Sequence, residues 1–420
     1  MQGDATAAPP RVMLFTDSFP AVGEHEPFIA AEVAELARTL SLVVIPLSRS
    51  GDGIVPLPSG VELEWGLAGH MAGARPRMSS LLRSLARRET YREIAAFGGR
   101  AFDPRVIAAV VVRGSRMLRS QSWTRAYLES AGRVVAYSWW SSTAGYGIAR
   151  AASERGVPSL SRIHGYELYP EQDRLGRIPF QSTGLAGFDG VYSVSRAGAD
   201  YLRDRYPALA PRIHVAHLGV AAPPAIGGPS TDGVFRIVSC SSCIPIKRVE
   251  LLASGVVALR QEFPSIDFTW THIGDGPTLA SVRSIVSSEV GLAERCLFTG
   301  QLPPPDVRSV LADTTFDAFI NVSSSEGLPV TLMEAASSGI PLIATRIGGN
   351  PEIVDQARGR LLPADPTPLQ VATVLAEIAN LTRDERAATR AASHDRWASD
   401  FSAERNYGEF ADLLVALADQ

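Results

Sequence analysis

Short apolar runs, each followed by a loop and then by apolar residues at helical spacing, recur along the whole chain. That alternation restricts the fold more than any other feature. Residues 11–16 (RVMLFT) read as a buried strand. After a loop containing Pro20 and Gly23, the residues Phe28, Ile29, Val33, Leu36 and Leu40 fall at helical spacing, and 42–47 (LVVIPL) form a second apolar run. Strand, loop, helix, strand opens a parallel α/β sheet. The unit returns at 133–137, before a Gly/Ser loop and a helical stretch from Tyr146, and at 191–195, before a helix holding Tyr201 and Leu202.

Residues 221–233 (AAPPAIGGPSTDG) interrupt this order with a Pro/Gly-dense segment of no periodicity, the mark of a linker. Beyond it the alternation restarts, with strands expected at 235–239, 268–273, 296–299, 316–322 and 341–344. Helices are expected at 249–263, 282–290, 307–311 and through Met333 and Ala336. The chain therefore divides into two doubly wound α/β halves of roughly 200 residues, as its length suggests. The expected domains are 1–222 and 223–401, with a terminal helix over 402–420 whose stripe Tyr407, Phe410, Leu413, Leu414 and Leu417 should pack.

Composition excludes several classes. With 45% hydrophobic and 20% charged residues the chain is globular rather than disordered. No apolar run reaches the ~18 residues of a membrane span. Residues 1–11 lack the basic-then-apolar order of a secretory signal. Three cysteines are too few for a disulfide framework, so a cytoplasmic protein is expected. Of its 40 basic residues a single one, Lys247, is lysine. A composition that writes arginine almost everywhere gives no reason for that exception. Residues 75–125 hold twelve arginines against Glu89, Glu93 and Asp103, a local +9 on a chain whose net charge is −4. This island points to an anionic partner, while the acidic total argues against a general nucleic-acid binder.

The densest chemistry lies at 323–334, SSSEGLPVTLME. A strand runs into serines, Glu326 and Gly327, and a helix begins at about Pro329, a residue suited to a first turn. The N–H groups of Gly327 and Leu328 then offer an anion site at a helix N-terminus. Glu326 and Glu334, eight residues apart, span roughly 10 Å at ~1.5 Å rise per residue plus the loop. That suits a diphosphate with a hydroxyl-bearing ring at each end; the plain alternative is a helix-start charge and a surface carboxylate. Lys247, with Arg248 beside it, follows a strand in a loop at the sheet's carboxyl edge, where doubly wound sheets bind ligands. An ammonium there is a point charge for phosphate; the plain alternative is a solvated surface residue. His164-Gly165-Tyr166-Glu167 follows another strand and puts an imidazole at the sheet edge, though a lone histidine there also suits a purely structural role. Gly274 opens a turn that permits close backbone approach to a ligand, which turn chemistry alone would also explain. No G-x-G-x-x-G follows the first strand and no P-loop is present, against a dinucleotide dehydrogenase or a P-loop NTPase. Cys240 and Cys243 form a C-x-x-C without a second pair, so they read as core or loop thiols. No D-x-D is available to hold a metal, so neither metal nor cofactor is expected.

Residues 326–354 (EGLPVTLMEAASSGIPLIATRIGGNPEIV) resemble the E-x7-E region of the retaining family-4 glycosyltransferases of the GT-B fold. HIGDGP (272–277), FTGQLPPPDV (298–307) and HLGV (217–220) agree with it. FPAVGEHEPFIAAEV (19–33) and RIHGYELYPE (162–171) are similar to N-terminal halves of members that build bacterial surface polysaccharides. The resemblance implies two Rossmann-like domains facing a central cleft, an acceptor side and a donor side, with the last helix crossing back. It implies a hexosyltransferase-type enzyme moving a sugar with retention from a nucleotide-diphosphate donor to a glycan or lipid-linked acceptor. By similarity, His164, Lys247 and Glu326 are the catalytic residues. Glu326 would contact the donor sugar and Glu334 the ribose. Lys247, Arg248, Gly327, Leu328 and Pro329 would hold the diphosphate, with Gly274 in the same donor site. Gln301 and Leu302 would hold the base, and Gly23 and Glu24 would approach phosphate and acceptor. The family commonly places an arginine five residues before the lysine; this chain has Ser242.

Two other readings use the same residues: a GT-B nucleotide-sugar epimerase, which consumes donor without acceptor, and a non-catalytic sugar-nucleotide binding protein. UDP and GDP stay equally open as donor, as do the sugar and the acceptor. In the basic region, Met78, Leu81, Leu82 and Leu85 form one helical stripe and Ile107, Val110, Val111 and Leu118 another. With arginines among them, they suit either peripheral contact with an anionic membrane surface or ordinary packed helices with solvated arginines.

Overall fold

A computed structural model gives the protein's structure and describes residues 10–21, 26, 28–49 and 53–419. Gly23 and Glu24 lie outside the described residues. The chain divides into two compact units: the first runs to Ala216 and takes back the chain from Tyr407, and the second is His217–Asn406. Among the described residues no helix is long and apolar enough to cross a membrane.

The first unit is built on a seven-stranded parallel sheet. Its strands are β1 (Arg11–Thr16), β2 (Ser41–Pro46), β3 (Glu62–Leu63), β4 (Val134–Ser138), β5 (Ser159–Ile163), β6 (Gly190–Ser193) and β7 (Ile213–Val215), in the order β3-β2-β1-β4-β5-β6-β7. β1 pairs with both β2 and β4, so successive connections run outward in opposite directions from it. The loops after β1 and β4 therefore diverge and leave a crevice at the carboxyl edge. Helices Pro104–Leu128 and Thr143–Glu154 cover one face in close contact. Gly147 makes that approach possible, since a Cβ there would lie 2.1 Å from the Met117 carbonyl oxygen.

A buried ion pair fastens this unit. Glu32, on helix Ile29–Leu36, accepts from Tyr137 Oη (2.7 Å), Trp139 Nε1 (3.0 Å) and Arg162 Nε (3.2 Å). Glu32 and Arg162 are both fully buried. The Arg162 guanidinium lies 4.1 Å from the centroid of Phe410. The apolar stripe of the terminal helix, Ala403–Ala418, thus supplies the aromatic cover of a charge inside the first unit.

The second unit repeats the plan with β8 (Phe235–Cys240), β9 (Phe268–Ile273), β10 (Cys296–Phe298), β11 (Ala318–Asn321), β12 (Leu342–Thr345) and β13 (Gly359–Leu362), in the order β10-β9-β8-β11-β12-β13. Every pair is parallel, and the order reverses between β8 and β11. The strand expected at 316–322 is confined to Ala318–Asn321, because the Asp317 carboxylate accepts from the Ser230 (3.0 Å) and Arg236 (2.9 Å) N–H groups. The helix expected at 282–290 occupies Leu279–Ser287, starting directly after the Gly276-Pro277 turn. Residues 221–234 form no helix or strand.

Candidate active site

Sheet order alone brings the two most informative loops of the second unit together. β8 ends at Cys240, and the chain reaches Lys247 through a single 3₁₀ turn, Pro245–Lys247. β11 ends at Asn321, and the loop 322–329 leads into helix Val330–Ser337. Since β8 and β11 are neighbours at the reversal point, the only lysine meets Glu326: Nζ lies 2.7 Å from Oε1. Glu326 is buried, Lys247 a quarter exposed, and Asn321 Nδ2 donates to the same oxygen at 3.1 Å. Ser324 ties the loops, its N–H (2.8 Å) and hydroxyl (3.1 Å) both donating to the Ile246 carbonyl. A recess of about 10 Å³, lined by Ser239, Cys240, Lys247, Asn321 and Ser323 among others, separates the strand ends.

A third loop braces this pair from behind. Gly348 has φ +44°, and a Cβ there would lie 1.9 Å from the Glu326 carbonyl oxygen. Gly349 N–H donates to the Gly327 carbonyl at 3.0 Å. Only glycine allows that approach. The turn after β9 is as tight. Gly274 has φ +145°, a Cβ on it would meet the Ser241 carbonyl at 2.0 Å, and its N–H donates to Gly300 at 2.9 Å. That bond sets the turn beside the segment holding Gln301, which is exposed, and Leu302, which is half-buried.

Glu334 lies in the second turn of helix Val330–Ser337 and is 6% exposed. Burial pushes its carboxyl up to about 7, although Arg308 Nη1 stands 4.0 Å away and opposes the shift. A carboxylate with one distant cation and little water is poised to accept hydrogen bonds. Leu328 and Pro329 are buried at the helix start, where the first N–H groups have no partner within the helix.

Arg248 is differently engaged. Its guanidinium donates to the carbonyls of Val322 (2.7 Å), Ser323 (3.0 Å) and Ala364 (2.9 Å) and to Asp365 (2.9 Å). It straps the loops that carry Lys247 and Glu326. Cys243 Sγ lies 3.2 Å from His272 Nε2, and burial raises the thiol to about 11, so it packs as an unreactive thiol.

His164 belongs to the first unit, at the end of β5. Its ring stacks on Trp139 (centroids 4.1 Å apart, 19° between planes) and lies 4.5 Å from Trp140. Both imidazole nitrogens are buried without a hydrogen-bond partner among the described residues, and Nδ1 stands 3.8 Å from Glu167 Oε2. Burial, aided by the charge of Arg162, holds the imidazole pKa well below its ordinary value, and burial raises the Glu167 carboxyl. Glu26 is fixed at the same edge by the Asp17 (2.9 Å) and Ser18 (2.6 Å) N–H groups and by Trp140 Nε1.

Asn321 beside Lys247 and Glu326 in the second unit, and the Trp139-Trp140 pair, Glu26 and the buried Glu32–Arg162 pair of the first unit, were not identifiable from the sequence. The position of Asn321 at the end of one apolar strand, and of the tryptophans directly after another, was the signal available.

The profile of the family described as Glycosyl transferases group 1 matches residues 235–380, which include Lys247, Glu326 and Glu334. A GDP-mannose-dependent alpha-(1-6)-phosphatidylinositol monomannoside mannosyltransferase of Mycolicibacterium smegmatis is 28% identical over 295 residues, covering 64% of this chain and 72% of that protein. The putative colanic acid biosynthesis glycosyltransferase WcaL of Escherichia coli is 26% identical and covers 49% of this chain and 52% of its own. Among solved structures, the lipopolysaccharide outer core galactosyltransferase WaaB superposes with a TM-score of 0.67 at 14% identity, over 98% of this chain and 100% of that one. Anabaena HepE in complex with UDP-glucose gives 0.65 at 14% identity, over 97% and 99%.

Proposed function

Because the chain belongs to the group 1 glycosyltransferases and has the GT-B fold, we propose that it transfers a sugar, with retention, from a nucleotide-diphosphate donor to a glycan or lipid-linked acceptor. The setting proposed is bacterial surface polysaccharide or glycolipid assembly. One observation carries the donor reading: Lys247 and Glu326 meet at 2.7 Å where the strand order reverses, one loop before a helix whose second turn buries Glu334.

In this reading the Lys247 ammonium and the N-terminus of helix Val330–Ser337, with Gly327 to Pro329, take up the negative charge of the leaving diphosphate. Glu326 accepts from donor-sugar hydroxyls and Glu334 from the ribose. Gln301 and Leu302 flank the base. Gly274 allows the donor to approach the backbone, and Arg248 acts by holding the loops. The bond from the anomeric carbon to the diphosphate oxygen breaks while the acceptor oxygen adds on the same face. A donor phosphate oxygen takes the acceptor proton. His164, kept neutral by burial, is assigned to the donor sugar by the family resemblance.

The test is donor turnover with UDP- and GDP-sugars, with and without a lipid-linked acceptor extract. Wild type should release nucleoside diphosphate faster with acceptor, and Lys247→Ala should lose at least about 100-fold in kcat/KM, the range for removing one oxyanion-stabilising group. His164→Ala should lower kcat while leaving nucleotide affinity within about threefold. Near-normal transfer by Lys247→Ala would overturn the reading.

A further inference from the structure

Helix Ala74–Ala86 is amphipathic in the inverted sense. The residues it buries are Ser80 and Ser84. Ser80 Oγ lies 2.7 Å from Ser115 Oγ on helix Pro104–Leu128, and a Cβ on Gly114 would come within 2.5 Å of Ser84 Oγ. Small polar residues thus seat this helix closely on its neighbour. Its apolar stripe faces outward: Met78 is 61% exposed, Leu82 62% and Leu85 44%. The companion stripe behaves normally, with Val110, Val111 and Leu118 buried. Packing therefore accounts for one of the two stripes and leaves the other in water, where it gains nothing for the fold.

Charge singles out the same surface. Arg113, Arg116 and Arg125 of the basic segment are paired with Asp173, Asp17 and Glu154. Arg75, Arg83, Arg88 and Arg92 are exposed and form no ion pair among the described residues. The arginines left over by the fold lie on and next to the helix whose apolar side is exposed. Tyr91, 57% exposed on helix Arg88–Ala95, adds an amphipathic ring.

We propose that the outer face of helix Ala74–Ala86, with Arg88 and Arg92, docks on an anionic lipid bilayer. Met78, Leu82 and Leu85 enter the headgroup boundary while the arginines meet lipid phosphates. A second copy of the chain is the less fitting occupant, because a symmetric contact would set the exposed Arg75, Arg83, Arg88 and Arg92 against their own copies. The inference is independent of the donor reading, and its failure would leave that reading intact.

Vesicle flotation tests it, using phosphatidylcholine alone and phosphatidylcholine mixed with phosphatidylglycerol. Wild type should float with the anionic vesicles, stay down with the neutral ones, and be released as salt screens the arginines. Each arginine near such a surface is worth about fivefold in partitioning. Arg83→Glu with Arg88→Glu should therefore cut binding by at least about 25-fold, and Met78→Ser with Leu82→Ser should also weaken it. Unchanged melting temperatures would show that the variants fold. The proposal is overturned if wild type ignores anionic vesicles, if it floats equally with neutral ones, or if charge reversal changes nothing. A concentration-dependent dimer in sedimentation velocity that Leu82→Ser disperses would overturn it in favour of self-association.

Discussion

Replacing Glu334 by glutamine should stabilise the empty protein and weaken its hold on nucleotide, two effects of opposite sign from one buried carboxyl. Its pKa is raised to about 7 by burial. A carboxyl that keeps its proton longer folded than unfolded contributes most at low pH, and that contribution is lost as pH rises towards the folded value. From an ordinary value of 4.5 to about 7, the ionised group at pH 8 costs the fold about 3 kcal/mol, against less than about 1 kcal/mol at pH 5. Glu334→Gln removes that slope. The variant should exceed wild type by about 3 kcal/mol at pH 8 and be nearly equal to it at pH 5. All three cysteines, Cys240, Cys243 and Cys296, lie in the second unit, so pulsed thiol labelling along a urea gradient reads that unit alone. Binding should move the other way. Ribose hydroxyls donating to a carboxylate are worth about 1.5–3 kcal/mol, so the variant should lose about 10- to 100-fold in nucleotide affinity at pH 8. Wild-type affinity should itself rise about tenfold from pH 6 to 8 as the group ionises. A variant less stable than wild type at pH 8, or a wild-type affinity flat across that range, would refute the reasoning.

Gly348→Ala should cost at least about 2 kcal/mol, since its φ of +44° and the Glu326 carbonyl 1.9 Å from the new Cβ leave no room without moving the loop; thermal unfolding and nucleotide affinity should fall together. Arg162→Met leaves Glu32 fully buried without its cation and should destabilise the first unit by about 3–5 kcal/mol, seen in chemical denaturation. Arg248→Ala should reduce thermal stability more than Lys247→Ala does, because its guanidinium holds three backbone carbonyls and Asp365, whereas among the described residues the Lys247 ammonium donates to Glu326. Equal melting temperatures for the two would contradict that assignment.

The repeat of apolar run, loop and helical stripe was enough to determine two doubly wound parallel sheets, because strands, helices and turns of this kind are set by local periodicity. The same local signals placed the helix start within one residue, at Pro329 where the structure has its cap and begins the helix at Val330, and singled out the lone lysine, Glu326 and Glu334. Periodicity says nothing of which strands become neighbours. The meeting of Lys247 with Glu326, 79 residues later, exists because β11 lies beside β8. That adjacency is a property of the sheet order. It also assigned Arg248, next in sequence to Lys247, to strapping loops, since a left-handed backbone at φ 52° turns it to other partners. Burial was equally out of reach. The two apolar stripes of the basic segment look alike in sequence, yet one lies in the core and the other on the surface, because only packed neighbours decide which face of a helix is covered.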